Sequence, residues 1–315
     1  MKMNYGLRSV SRIGWRTAWS FALVGCLCQL AAAEETANQP TYELVYRFRA
    51  NAFLHYDVSH ENTITTQVSQ ASETAINKSV TRKHIRVVSV DGSGTAELEP
   101  TIDHVQMTVQ FDGNDPVEFD SRNPDKQPEQ FSSILKTVGK PSVRIRVDRH
   151  GRLLKVTRLD RTQSAGENTD AAANDPVQNI LLPFPDKAIA VGHQWEEEFS
   201  VPVSLDRTLK KDVRLSRRFQ LDAVEDGIAI VTYKTVVLEP VNNPTMRAQL
   251  IQRTPTGQFR FDIQAGAIIE MKASLDRTEI GVIGATSSMR AIMSRTEKLI
   301  PPDQVAEGRD RTTPQ

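Results

Sequence analysis

The stretch Arg82-Lys83-His84-Ile85-Arg86-Val87-Val88-Ser89-Val90-Asp91-Gly92-Ser93-Gly94-Thr95-Ala96-Glu97-Leu98 decides the fold class. Residues 82–90 are rich in β-branched side chains, and Asp91-Gly92 comes directly after them. An Asp-Gly pair between such runs favours a hairpin, because the turn needs positive φ. The return strand starts at Thr95. Along it the apolar phase changes: Ala96, Leu98 and Ile102 are even, whereas Val105, Met107, Val109 and Phe111 are odd. A one-residue slip would turn the apolar face into solvent. Either a bulge near Asp103-His104 or a bend at Pro100 absorbs the extra residue.

The same grammar repeats outward in both directions. Tyr42, Leu44, Tyr46 and Phe48 alternate with Glu43, Val45 and Arg47, and Phe53–Val58 and Asn62–Val68 are further strands. Val117–Asp120, Val143–Val147 and Leu153–Leu159 are strands, the last two about the turn Asp148-Arg149-His150-Gly151. Strands recur at 199–203, 213–221, 228–238, 257–263, 267–275 and 278–283, while 288–299 fits strand or helix. Phe131, Ile134, Leu135 and Val138 form one apolar stripe, predicting a helix over 128–138 that docks on a sheet. The expected fold is mainly β with some α: a curved antiparallel sheet or half-barrel, covered by one or two helices. A weak likeness between Val147-Asp148-x-x-Gly151 and Phe261-Asp262-x-x-x-Gly266 raises the prospect of two related halves.

The N-terminus reads as an export signal. Lys2, Arg8, Arg12 and Arg16 precede an apolar run ending in Ala31-Ala32-Ala33, and Glu34 is the first acid. Cleavage between Ala33 and Glu34 is expected, giving a periplasmic or extracellular protein. In the alternative, Leu23-Val24-Gly25-Cys26 acts as a lipobox and Cys26 is lipidated, anchoring the chain at a membrane. Cys26 and Cys28 are the chain's 2 cysteines, so cleavage after Ala33 leaves none to form disulfides. The expected organisation is signal 1–33, a β-rich half 34–160, a polar loop 161–175, a second β-rich half 176–299 and a frayed tail 300–315.

Lys plus Arg and Asp plus Glu are balanced at 39 each, without the basic excess of a nucleic-acid binder. The mature part lacks a second apolar stretch of membrane-spanning length. The 6 histidines offer a weak metal reading at best: His55 and His60, with Asp57 and Glu61 nearby, fall on opposite faces of a strand. His104 reads as the mark of a bulge or sheet edge. Gly92-Ser93-Gly94 is a hairpin rather than a nucleophile elbow, and the acids show no catalytic pairing. Arg214, Arg217 and Arg218 read as the outer face of a strand. No cofactor, metal or catalytic residue is expected.

Leu182-Pro183-Phe184-Pro185-Asp186-Lys187 and, just after it, Val191-Gly192-His193-Gln194-Trp195 carry a resemblance. The pair is similar to a segment of an uncharacterised family of exported bacterial β-rich proteins, where it reads Pro-Asp-Lys-Pro-Val-x-Val-Gly-Asp-x-Trp. Ala188 and His193 depart from that pattern, at places where proline and aspartate are usual. The resemblance implies an architecture like that of lipoprotein carriers and implies no activity. From the residues themselves, Val191 is expected to pack, Gly192 to turn and Trp195 to anchor a strand. The apolar strip Leu181, Leu182, Phe184, Val191 and Trp195 points to a non-catalytic module binding a hydrophobic or lipidic ligand. The alternatives are a structural or envelope-interaction protein with no small ligand, and an enzyme of unrecognised type.

Overall fold

A computed structural model describes residues 39–123, 128–159, 181–204, 210–302 and 304. The expected signal segment, the loop 161–175 and nearly all of the tail lie outside the described residues. The described strands and helices all lie in the compact unit Thr41–Gln315.

Its strands are β1 (Thr41–Tyr42), β2 (Phe53–Val68), β3 (Ala71–Val90), β4 (Ala96–Phe111), β5 (Val117–Asp120), β6 (Val143–Val147) and β7 (Leu153–Arg158). The second half of the chain supplies β8 (Ile189–Ala190), β9 (Gln194–Ser204), β10 (Lys210–Glu225), β11 (Ile228–Val237), β12 (Thr256–Asp262), β13 (Ala267–Ile280) and β14 (Ser287–Leu299). A 12-stranded antiparallel sheet runs β7-β6-β4-β3-β2-β14-β13-β12-β11-β10-β9, with β5 on the outer part of β4. The two halves of the chain adjoin through β2 and β14. Among the described residues edges β7 and β9 do not pair, so the sheet stays open. The ambiguous segment 288–299 is strand. As β14 it takes the unpaired flank of β2, which settles the choice by tertiary context.

The phase change in β4 is a bulge. Arg82 pairs with His104 and Lys83 with Ile102, which leaves Asp103 unpaired, while Pro100 stays in register opposite Ile85. From there Val105 and Met107 return to the face that Leu98 occupies, so the apolar side is continuous.

Two expectations are corrected. The helix expected over 128–138 is shorter: a 3-10 turn at Glu129–Phe131 runs into α1 (Ser132–Leu135). The Thr137 hydroxyl then bonds back to the Ile134 carbonyl, and Gly139 N–H donates to Ile102 O at 2.8 Å. The chain leaves the helix to satisfy the backbone beside the β4 bulge. All four stripe residues still pack together with Val105 and Phe119. The second of the one or two expected helices is α2 (Pro244–Ile251), which had no assigned place; Asn243 capping Met246 N–H and Pro244 mark its start. Its Met246 and Leu250 pack on Val201, Val203, Val213 and Leu215.

The second correction concerns residues 43–48, which alternate like a strand but join no ladder. They form a strap across the inner face of the sheet. Tyr46 N–H donates to Arg149 O at 2.8 Å and Arg47 N–H to Gly266 O at 3.1 Å. Those acceptors belong to the β6–β7 and β12–β13 turns, the two turns that look alike in sequence. Leu44, Val45 and Tyr46 are all buried, which a half-exposed strand could not achieve.

Candidate functional site

Directly paired residues on neighbouring strands point to the same face. Along the registers, Phe219, Tyr233, Gly257, Ala273, Arg295 and His60 form one row across β10, β11, β12, β13, β14 and β2. This is the inner face. Toward the strap it is filled by aromatics: Tyr46 lies 5.1 Å from Phe184, Phe184 4.6 Å from Phe261, and Trp195 5.3 Å from Phe219. A second apolar cluster, with Tyr56, Ile85, Leu98 and Ile145, meets the first at Phe48 and Leu181. Beneath α2 the face is apolar again, where Leu275 and Ala291 pack on Ile251 of the helix.

Between these zones the inner face is charged. Lys83 on β3 reaches over β2 to Glu297 on β14, Nζ to Oε1 2.6 Å, and Arg295 Nη2 donates to the other Glu297 oxygen at 2.9 Å. Burial works to raise the Glu297 carboxyl, but Lys83 and Arg295 outweigh it and hold it below its ordinary range. Burial pulls the Lys83 ammonium down, and Glu297 offsets only part of that. On the other flank Glu197 lies 3.6 Å from Arg217, whose guanidinium sits over the rings of Phe199 at 5.3 Å and Tyr233 at 5.7 Å. Burial pushes the Glu197 carboxyl up against the pull of Arg217. The Tyr233 hydroxyl, raised by burial, feels Arg217 together with Arg295 and Glu297, so the two flanks share one field. In these pairs the cations Lys83, Arg217 and Arg295 face the carboxylates of Glu197 and Glu297, an excess of one positive charge.

This belt is not self-sufficient. Among the described residues His60 Nδ1, Asn62 Oδ1, Asn77 Oδ1, Thr235 Oγ1 and Arg295 Nε are buried without a hydrogen-bond partner. A buried polar group left unsatisfied costs roughly 1–3 kcal/mol. Glu197 and Arg295 keep side-chain exposures of 32% each, so the belt is reached from solvent.

Of the residues singled out from sequence, Ala33, Glu34 and Cys26 lie outside the described residues. Leu182 and Phe184 are spent in the core at 2% and 3% exposure, with Leu181 half-buried beside them. Trp195 is half-buried and donates from Nε1 to Pro183 O at 2.9 Å. Val191 does not pack: it is 42% exposed, because the turn at Gly192 (φ +88°) holds it outside the sheet. Arg217 corrects its outer-face reading. It shares the odd phase of Val213, Leu215 and Phe219 and points inward with them, a signal present in the sequence. The charged belt went unread because strand alternation does not tell which strands meet. On the opposite face His55 and His84 come together with Asp103, whereas His60 projects inward.

No family model matches the chain, and no curated protein matches its sequence. Among solved structures it is similar to lipovitellin, in a study of lipid–protein interactions, at 10% identity and TM-score 0.50 over 81% of this chain and 25% of that one. A β-barrel-like protein of the domain of unknown function DUF1849 from Brucella abortus aligns at 10% identity and TM-score 0.18, over 80% of this chain and 100% of that one. DynF from the dynemicin pathway of Micromonospora chersina aligns at 7% identity and TM-score 0.20, over 85% and 89%. The chain spans about a quarter of the lipovitellin chain, and what the two share is the fold of a large β-sheet.

Proposed function

We propose that this chain is an exported, non-catalytic binding module for an amphipathic ligand, held on the inner face of the open sheet. The apolar part of the ligand lies along the half-buried Phe199, Ala273 and Met293 that flank the belt, and an anionic head meets Lys83, Arg295 and Arg217. The observation that carries this reading is a charged belt of Lys83, Arg217, Arg295, Glu197 and Glu297 set between apolar zones of one sheet face and reached from solvent at Glu197 and Arg295. A face built only for packing would need no such belt, since burying charge is costly. The lipid–protein interactions of lipovitellin, a protein of similar fold, lend support. Export rests on the basic, apolar and small-residue order of residues 1–33.

The test uses delipidated protein titrated with a fluorescent long-chain carboxylate and with its neutral methyl ester. The carboxylate binds with stoichiometry one, at least about tenfold tighter than the ester, as one extra charge-assisted hydrogen bond gives. Arg295→Gln narrows that gap. Equal or absent binding of both probes refutes the reading. N-terminal sequencing of the exported product tests the rest: Glu34 is the first residue, and a blocked, acylated Cys26 would replace cleavage by lipidation.

A second reading, an envelope-interaction protein without a small ligand, is favoured by one feature. Edge strand β7 is exposed at all six positions and displays Leu153, Leu154 and Val156. Failure of both probes together with pull-down of one envelope partner through β7 would establish it.

A further inference from the structure

On the outer face, opposite the charged belt, His55, His84 and Asp103 bring one ligand atom each within 4.8 Å of one another. His55 on β2 pairs directly with His84 on β3, so their imidazoles stand side by side, ring centres 5.5 Å apart. The β4 bulge supplies the third group. Continued without a break from Pro100, the ladder would set Asp103 opposite Arg82 and neutralise it there. The extra residue moves it out of that row, and Arg82 instead takes both oxygens of Asp57 at 2.8 and 2.9 Å. Asp103 leans on the histidines. Its Oδ1 is 2.6 Å from His84 Nδ1 and its Oδ2 is 3.9 Å from His55 Nδ1, one oxygen toward each ring.

We propose that His55, His84 and Asp103 bind a divalent transition-metal cation, a site independent of the ligand-binding reading above. Ligand arms of roughly 2.0–2.2 Å set donor atoms about 3.5 Å apart around a tetrahedral ion, so the Asp103–His84 contact opens and the wider spacing to His55 closes, changes within small side-chain rotations. The three residues come from adjacent strands of one sheet, which fixes their spacing as sites on loops do not. Phe53 packs on both imidazoles, at 6.1 Å from His55 and 5.4 Å from His84, and restrains their rings. Their side chains are 17%, 19% and 29% exposed, shielded yet open to an entering ion. Two imidazoles and one carboxylate suit zinc, copper, nickel or ferrous iron, whereas calcium and magnesium prefer oxygen donors throughout. Three protein ligands also leave a fourth position. His84 borders a cleft of about 410 Å³ with Phe53, Arg86, Glu99 and Thr101, room enough for a water or a small anion as that fourth ligand.

The plain alternative is a hydrogen-bonded Asp–His pair beside a stacked histidine, and the experiment separates the two. Untagged protein, stripped with chelator, is titrated with zinc against a metallochromic dye, and with calcium in parallel. One zinc binds and calcium does not. Loss of an outer-sphere partner already costs about 10–100-fold in metal affinity, so His84→Ala and Asp103→Asn weaken zinc by at least about 100-fold. His60→Ala, on the inner face, leaves it unchanged. Cobalt gives a readout independent of overall stability: the wild-type protein shows the visible d–d band of a low-coordinate ion, and folded Asp103→Asn, checked by circular dichroism, does not. Zinc affinity unmoved by His84→Ala, or no zinc bound at micromolar concentration, overturns the proposal.

Discussion

The hydroxyl of Tyr46 donates to the carbonyl of Leu182 at 3.0 Å and accepts from the N–H of the same residue at 3.1 Å. One side chain thus satisfies both backbone groups of a residue 136 positions away, where no ladder reaches them. It joins the strap to the segment that closes the aromatic floor.

Tyr46→Phe leaves Leu182 N–H and C=O buried and unsatisfied, so it destabilises the fold by about 2–4 kcal/mol. Urea denaturation reads this as a lower midpoint at unchanged slope. A loss under about 0.5 kcal/mol would mean that water replaces the hydroxyl.

Alkali also acts on the tyrosines. Burial raises the phenols of Tyr46, Tyr56 and Tyr233 above their ordinary value of 10.0. The folded state therefore holds protons that the unfolded state releases. Their contribution is complete below pH 10.0 and declines as pH climbs above it toward the raised folded values. Stability measured between about pH 9 and about 11.5 falls in the wild type, and less steeply in Tyr56→Phe. Equal slopes would rule out these phenols as the cause.

The two turns that hold the strap make a graded test with glycine. A Cβ at Gly266 (φ +64°) would lie 2.5 Å from Arg47 N, and one at Gly151 (φ +82°) 2.6 Å from Leu182 O. Gly192 (φ +88°) has open space around it. Gly192→Ala costs about 1 kcal/mol from backbone strain alone. Gly266→Ala and Gly151→Ala cost more, about 2–4 kcal/mol, because backbone must move as well. Thermal melts rank the three, and equal losses would show that the strap is not held closely.

Glu297→Gln leaves Lys83 and Arg295 facing a neutral amide. Breaking a buried ion pair by removing one partner costs about 3–5 kcal/mol. The acid limb gives the sign: a carboxyl held below its ordinary 4.5 contributes stability above that pH and loses it as pH falls through the lowered folded value. Acid titration of wild type therefore loses more stability below pH 4.5 than titration of the variant. Parallel curves would exclude Glu297 as the titrating group.

Much of the architecture could be read from alternation, and the limits of that reading are physical. The phase slip around Asp103 named its bulge, because burial on one face leaves an odd residue nowhere else to go. Residues 43–48 deceived, since a strap and a strand present the same pattern and differ only in where the N–H groups find acceptors. Helix α2 was announced by Asn243 and Pro244, yet its short apolar set resembles any buried run. The site was harder still. Arg217 keeps step with buried neighbours and could have been placed inside. The meeting of Lys83 with Glu297, or of His84 with Asp103, depends on strand order and register, which local pattern does not encode.

Two neighbouring N–H groups, of Tyr46 and Arg47, are anchored to turns that lie far apart in strand order, one beside the β7 edge and one between β12 and β13. The strap is thus a tie rod between the two halves of the sheet: displacing either turn strains the hydrogen bond at the other.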